Sequence, residues 1–288
     1  MDFETLNRDI NRVVVIGGKG FIGSEIIYKL KQKNISHLSI SRKDIDLLDK
    51  SATLKLKNLL NENDAVVISS AVAPVKNNNM LTANIIMMDN ICNVLLKKNV
   101  RKVLYVSSDA VYADKIYPLN EKSITNPISL HGIMHLTREL MLKEIKNIPI
   151  SIIRPTLIYG KNDPHNGYGP NSFNRLLASK KNIKLFGKGE EQRDHIFVND
   201  VAELSCKMIF EKFEGVINAA TGQELSFHNL ANKLLKLHNH CAEIEYLDRI
   251  GKMPHDGLRN FDPTKTSQVF PDFKYTSIDE GLLHLKGI

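Results

Sequence analysis

The sequence predicts an α/β fold: a doubly wound parallel sheet with helices on both faces, followed by a smaller C-terminal α/β lobe. Three observations carry that prediction. Short apolar, mostly β-branched runs recur through the first half of the 288-residue chain, at 12–16, 65–68, 103–106 and 150–153. Runs without polar alternation belong to strands buried on both faces. Stretches of helical periodicity separate them, and strands alternating with helices build a parallel sheet. Finally, a glycine-rich bend, Gly17-Gly18-Lys19-Gly20-Phe21-Ile22-Gly23, joins the first strand to the first helix.

That bend is where chemistry enters. Gly17, Gly20 and Gly23 allow a sharp strand-to-helix turn, the close approach of a pyrophosphate, and tight packing of helix on strand. The first helical turn, at Phe21 and Ile22, offers free N–H groups where the helix dipole favours negative charge. Between a strand and a helix, this glycine string points to a Rossmann-type dinucleotide site. The second strand, 37–40, ends at Ser41-Arg42-Lys43. At that position a carboxylate suits the ribose of NAD, and a basic residue suits the 2′-phosphate of NADP. Ser41, Arg42 and Lys43 therefore favour NADP(H), and Asp44 keeps NAD(H) open. Asp46 and Leu47 are expected near the adenine. A polar helix over 50–61 leads to the strand at 65–68 and the small-residue loop 69–73, where Ala71 can lie close to the cofactor.

A long helix over about 80–98 is apolar on nearly every side and needs two coverings. One is the sheet; the other is either the rest of the chain or a second subunit. A homodimer through helices about 80–98 and 129–146 is expected on that basis. The strand at 103–106 runs into Ser107-Ser108-Asp109-Ala110-Val111-Tyr112, at the carboxyl end where open α/β sheets bind ligands. Residues 1–160, with return segments about 194–220, form the expected dinucleotide-binding domain. Residues 161–193 and 221–288 form the expected substrate lobe, opened by a loop over 161–170 rich in Gly, Pro, Asn and His.

Bulk properties narrow the class. With 42% apolar and 25% charged residues the composition is that of a soluble globular protein. No apolar run approaches the length of a membrane span, and the first residues lack an apolar signal core, so a cytoplasmic protein is expected. The net charge of +7 suits an anionic ligand such as a dinucleotide or a sugar nucleotide. Its lysines are dispersed and no zinc-finger or aromatic RNA-binding pattern appears, which argues against a nucleic-acid partner. Cys92, Cys206 and Cys241 lack metal spacing and read as reduced thiols.

Together these motifs resemble the extended branch of the short-chain dehydrogenase/reductase family, whose members act mostly on nucleotide sugars. The matching pieces are the glycine bend, 107–112, Arg154-Pro155-Thr156-Leu157-Ile158-Tyr159-Gly160, 169–173, Gly187-Lys188-Gly189 with Arg193-Asp194, and 277–282. The stretch 41–49 looks most like that of the NADP-using sugar reductases. The resemblance implies hydride transfer between a sugar carbon and a nicotinamide. In the family a tyrosine exchanges the hydroxyl proton, a lysine four residues on lowers its pKa and holds the ribose, and a Ser or Thr fixes the sugar oxygen. Ser108 matches the hydroxyl. Alignment on Pro127, Ser129, Gly132 and Glu139 puts His131 at the tyrosine position and His135 at the lysine position. Asp109, Asn171, Arg193 and, near Asp262, Arg259 are the implied substrate contacts. Asp200 is expected to cap the helix after Asn199.

The two histidines have a chemical rationale. A phenol near pKa 10 needs a neighbouring cation to act as a base at neutral pH, whereas an imidazole near 6.5 does not. His131 can then exchange protons without a lysine, and His135 can hydrogen-bond the ribose or be weakly cationic. Their spacing places both on one helical face, with Leu130, Ile133, Thr137, Leu140 and Met141 expected toward the core. The pair also has zinc-ligand spacing, but no third ligand is evident and no metal is expected. Two functions follow: an NAD(P)-dependent oxidoreductase or epimerase of a nucleotide-linked sugar with a His-based proton site, or a catalytically reduced dinucleotide-binding or regulatory member of the family. A dehydratase fits less well, because only Asp109 follows the hydroxyl where such enzymes show an acidic pair.

Overall fold

The computed structural model describes residues 9–114, 117–239 and 242–287, so Cys241 lies outside the described residues. In chain order the elements are β1 (Arg12–Ile16), α1 (Phe21–Gln32), β2 (His37–Ile40), α2 (Ala52–Leu59), β3 (Asp64–Ile68), α3 (Asn78–Leu95), β4 (Lys102–Val106), α4 (Leu130–Lys143) and β5 (Ile150–Pro155). They continue with β6 (Leu157–Tyr159), α5 (Pro170–Ala178), β7 (Ile183–Phe186), β8 (Gln192–Phe197), α6 (Val198–Phe210) and β9 (Gly215–Ala219). The chain ends with β10 (Glu224–Ser226), α7 (Phe227–His238), β11 (Ile244–Leu247), β12 (Leu258–Arg259), α8 (Thr264–Val269) and α9 (Ile278–Lys286).

The chain divides into two compact units: 1–113 with 124–155 and 201–218, and 114–123 with 156–200 and 219–288. The first holds a six-stranded sheet in the order β2-β1-β3-β4-β5-β9. Pairings from β2 through β5 are parallel, with Val14 beside Leu38 on one flank and Val66 on the other. Residues of β3 and β4 are buried throughout, as expected of a sheet covered on both faces. The chain runs from β1 out to β2 and then crosses to β3 on the other side, so the strand order reverses between β1 and β3, the point at which such sheets open a ligand crevice. The core cluster joins Ile16, Ile68 and Tyr105 of the sheet to Leu56 of α2, Met88 and Ile91 of α3, and Leu142 of α4.

The helix α3 starts where the Asn77 side chain accepts the Met80 N–H, and α4 where Ser129 accepts from Gly132. The buried face of α4 differs from the expectation. Ile133 and Leu140 are 38% and 54% exposed, and the helix buries Met134, His135, Arg138, Glu139 and Leu142 instead. Those five fall on one helical stripe. Its polar members have partners inside the unit, described below, except for two nitrogens of Arg138 that bond to none of the described residues.

The second unit contains a sheet in the order β10-β8-β12, with β6 added to β8, and a separate β7-β11 pair. Phe173, Leu177, Leu185, Phe227 and Leu234 are buried in it. Tyr168 packs against Phe227 at 4.5 Å between ring centres. The unit boundaries differ from those expected. Residues 156–160 leave the first unit because β6 pairs with β8, and 114–123 join the second because Leu119 bridges to Phe261. The return to the first sheet begins within α6, at Val201, and not at 194. No helix among the described residues is long and apolar enough to cross a membrane.

Candidate active site

The glycine bend is set by backbone crowding. Gly17 has φ of +91°, and a Cβ there would lie 2.6 Å from the Ser70 nitrogen. A Cβ on Gly23 would lie 2.2 Å from the Gly17 carbonyl oxygen. Both positions therefore exclude any side chain. At Gly20, which N-caps α1 without a side-chain acceptor, the first helical turn carries no acidic residue. Its N–H groups are left for an anion.

Beside this bend lies a cavity of about 550 Å³, bounded by Ile16, Gly17, Lys19, Gly20, Ile40, 41–43, 45–48, 69–73 and Met87. Its walls include Gly17, Gly20, Ser41, Arg42, Lys43, Asp46, Leu47 and Ala71, all named from sequence. Phe21, Ile22 and Gly23 form the first turn of α1 and do not line it. Lys19 also walls it, and its sequence signal is a lysine set inside the glycine bend. At the mouth, the Asp44 carboxylate accepts the Ser41 hydroxyl (2.6 Å) and N–H (2.8 Å). Those bonds, the hydroxyl first, hold Asp44 below its usual pKa, with help from Lys19. Arg42 reaches Asp46 at 3.1 Å, leaving three cations facing two carboxylates. The glycine bend and its helix start fit a dinucleotide pyrophosphate.

A second cluster forms where α4 meets the segment after β4. A Cβ on Gly132 would lie 2.1 Å from the Ala110 carbonyl oxygen, so α4 starts in direct contact with the turn that Ser108 caps. The Ser108 hydroxyl accepts the Ala110 N–H at 3.1 Å and donates to Asp109 at 3.3 Å. His131 is half-buried and lies edge-on to His135, with ring centres 4.7 Å apart. His135 is buried, and its Nδ1 is 2.8 Å from the Tyr105 hydroxyl. Burial, then His131 and Arg138, push its pKa well below the ordinary histidine value. Of the two roles expected for His135, a hydrogen bond to the ribose or a weakly cationic ring, this lowered pKa runs against the second. His135 is not among the residues that wall the cavity beside the glycine bend.

Sequence reasoning missed the polar groups around this pair. Arg138 is fully buried, donates from Nη1 to the Ser70 carbonyl at 2.9 Å, and stands 5.2 Å over the Tyr105 ring centre. It has no ion-pair partner among the described residues, and its Nε and Nη2 bond to none of them. Glu139 accepts Arg154 at 2.9 and 2.5 Å and Ser107 at 2.6 Å. Arg154 also donates to the Tyr112 hydroxyl, which donates to Asn218. Burial works against the Arg154 charge, but the Glu139 bonds outweigh it and its pKa lies above the ordinary value. The available signal was an Arg-Glu pair inside an amphipathic helix, with an arginine ending the next strand.

The candidates in the second unit are held by their own neighbours. Asn171 is buried and accepts the Gly160 N–H at 3.1 Å. Arg193 forms a buried ion pair with Glu191 and donates to the Pro254 carbonyl at 3.0 Å. Arg259 pairs with Asp114 at 2.7 Å, which His255 also contacts at 2.5 Å. Asp262 accepts the Thr264 N–H in a local turn. Asp200 is not a cap: it lies inside α6 and accepts the Thr276 N–H and hydroxyl at 2.8 and 2.7 Å. Among the described residues no three His, Cys, Asp or Glu side chains gather as a metal site.

Residues 13–220 match the family model for the NAD dependent epimerase/dehydratase family. The chain belongs to that family. Its members are enzymes, and this one is similar over nearly its full length to several of them. It is 26% identical over 280 residues to a GDP-6-deoxy-D-talose 4-dehydrogenase of Aggregatibacter actinomycetemcomitans, covering 93% of this chain and 94% of the relative. Its fold matches that of a Thermotoga maritima UDP-glucose 4-epimerase solved with UDP-glucose, with TM-score 0.84, 22% identity, and 96% and 97% of the two chains covered. A Naegleria fowleri GDP-L-fucose synthetase bound to NADP gives TM-score 0.83 at 19% identity, covering 98% of this chain and 93% of that one.

Proposed function

We propose that this family member is an NAD(P)-dependent oxidoreductase or epimerase of a nucleotide-linked sugar with an imidazole-based proton site. The observation that carries the reading is the glycine bend, where Gly17, Lys19 and Gly20 wall a cavity of about 550 Å³ and α1 begins without a side-chain cap. Gly17, Gly20 and Gly23 let the pyrophosphate approach the backbone, and the first-turn N–H groups bind it. When bound, the nicotinamide supplies the hydride acceptor or donor. Ser108 holds the reacting sugar oxygen, and a ring nitrogen of His131 takes or returns its hydroxyl proton. Asp109, Asn171, Arg193 and Arg259 serve the nucleotide-sugar side. Lys19, Arg42 and Lys43 support NADP(H) over NAD(H), because their charge exceeds that of Asp44 and Asp46. The exposed Ile86, Ile133 and Leu140 of α3 and α4 support a homodimer through these helices, which sedimentation at micromolar concentration tests.

One observation favours a second reading, a dinucleotide-binding protein with reduced turnover: His135 is buried and neutral, so no ammonium stands where the family has lysine. Single-turnover reduction of bound cofactor with GDP-, UDP-, dTDP- and CDP-sugars separates the two. Hydride transfer that falls away below about pH 6–7, where an imidazole base protonates, supports the first. His131→Ala should then lower kcat by about 10²–10⁴-fold while cofactor affinity stays near wild type. Cofactor binding with no transfer at any pH supports the second.

A further inference from the structure

The Tyr105 hydroxyl is buried and lies 2.8 Å from His135 Nδ1. A buried hydroxyl has to place its proton on an acceptor. The guanidinium beside the phenol ring, that of Arg138, has only donors. The nearby carboxylate, Glu139, already accepts Arg154 and Ser107. Nδ1 of His135 is left as the acceptor, and a neutral imidazole that accepts at Nδ1 carries its proton on Nε2. The reverse arrangement, with Nδ1–H donating to the phenol oxygen, would strand the phenol proton beside a cation.

We propose that Tyr105 and Arg138 are positioning residues that lock His135 as the neutral Nε2–H imidazole, the hydrogen-bond donor that α4 offers to a bound dinucleotide in place of an ammonium. The dinucleotide contact rests on the functional reading above; the locked tautomer does not. Arg138 joins the two through its bond to the Ser70 carbonyl, because Ser70 borders the cofactor cavity. The charged and titratable groups acting on the cluster are His131, Arg138 and Glu139 of α4, Tyr105 of β4 and Cys92 of α3. Burial pushes the phenol up to about 12 and the thiol to about 11, so neither ionises at neutral pH. A lysine supplies the family's site with both a charge and a donor. Here the charge sits on Arg138, sealed inside, and the donor is the imidazole N–H.

The test is long-range ¹H–¹⁵N correlation on the full-length, cofactor-free protein with ¹⁵N-labelled histidine. The expected His135 pattern has an acceptor-type Nδ1 and a protonated Nε2, unchanged between about pH 8 and pH 6. An Nδ1–H tautomer, or a doubly protonated ring at about pH 6.5, overturns the proposal. Tyr105→Phe should let the Nδ1–H form appear and weaken NAD(P)H binding about threefold to tenfold, the scale of one hydrogen bond. Arg138→Met should let His135 protonate at higher pH, and Arg138→Lys should restore the wild-type titration. A Tyr105→Phe protein with wild-type spectrum and affinity overturns the proposal. If both variants fail to fold, the wild-type spectrum still decides. Because the spectrum needs no turnover, an inactive protein with the Nε2–H tautomer loses the proposed activity and keeps this inference. An active protein with the other tautomer does the reverse.

Discussion

The glycine bend and the α4 cluster lie in the same unit and are built by opposite means. The bend is a backbone device: Gly17 and Gly23 are what they are because main-chain atoms stand where a Cβ would go. The cluster is a side-chain device, in which Arg154 is matched by Glu139 while Arg138, among the described residues, meets a carbonyl, the Met134 sulfur and a ring but no carboxylate. A backbone device tolerates no substitution but needs little around it. A side-chain device depends on each partner, and removing one strands another.

That contrast can be broken by measurement. The largest effect should come from Glu139→Ala, which leaves the Arg154 guanidinium buried and unpaired and should lower stability by about 3–5 kcal/mol in denaturant unfolding. If it costs less than about 1 kcal/mol, the pair is not what holds α4 to the strand. Gly17→Ala should destabilise by about 1–3 kcal/mol from backbone strain and also weaken cofactor binding. Wild-type affinity in that variant would mean the bend is not where phosphate sits.

A pH titration of stability sharpens the side-chain half. Burial holds His135 well below the ordinary value and His195 at about 4. Both rings are neutral in the fold and protonate more readily when unfolded. The unfolded state therefore binds more protons below about pH 6.5, and stability falls as pH drops through that window toward 4. Each ring contributes at most about 1.4 kcal/mol per pH unit. His135→Phe should flatten the slope, and an unchanged slope would assign it elsewhere. The smallest effect belongs to the exposed rim: Arg42→Ala should leave stability within about 0.5 kcal/mol and weaken NADP(H) more than NAD(H). Equal losses for both cofactors would remove Arg42 from 2′-phosphate recognition.

Much of this molecule was legible in the chain because its signals are local. Buried β-branched runs define strands, helical spacing defines the connections, and glycines between β1 and α1 define the bend; none of these needs knowledge of what packs against it. The inward face of α4 was not legible. Ile133 and Leu140 fit an apolar stripe as well as Met134 and Leu142 do, so periodicity alone favoured the wrong side. What turned the helix was the supply of partners from other strands, Tyr105 for His135 and Arg154 for Glu139. Arg259 pairs with Asp114, 145 residues away in sequence, for the same reason. The sequence by itself determined the fold class and the sharp glycine bend between β1 and α1, because backbone geometry is written in neighbouring residues. Only the tertiary structure decided which polar side chains are sealed, paired or left neutral, because burial and hydrogen bonding depend on groups that meet only after folding.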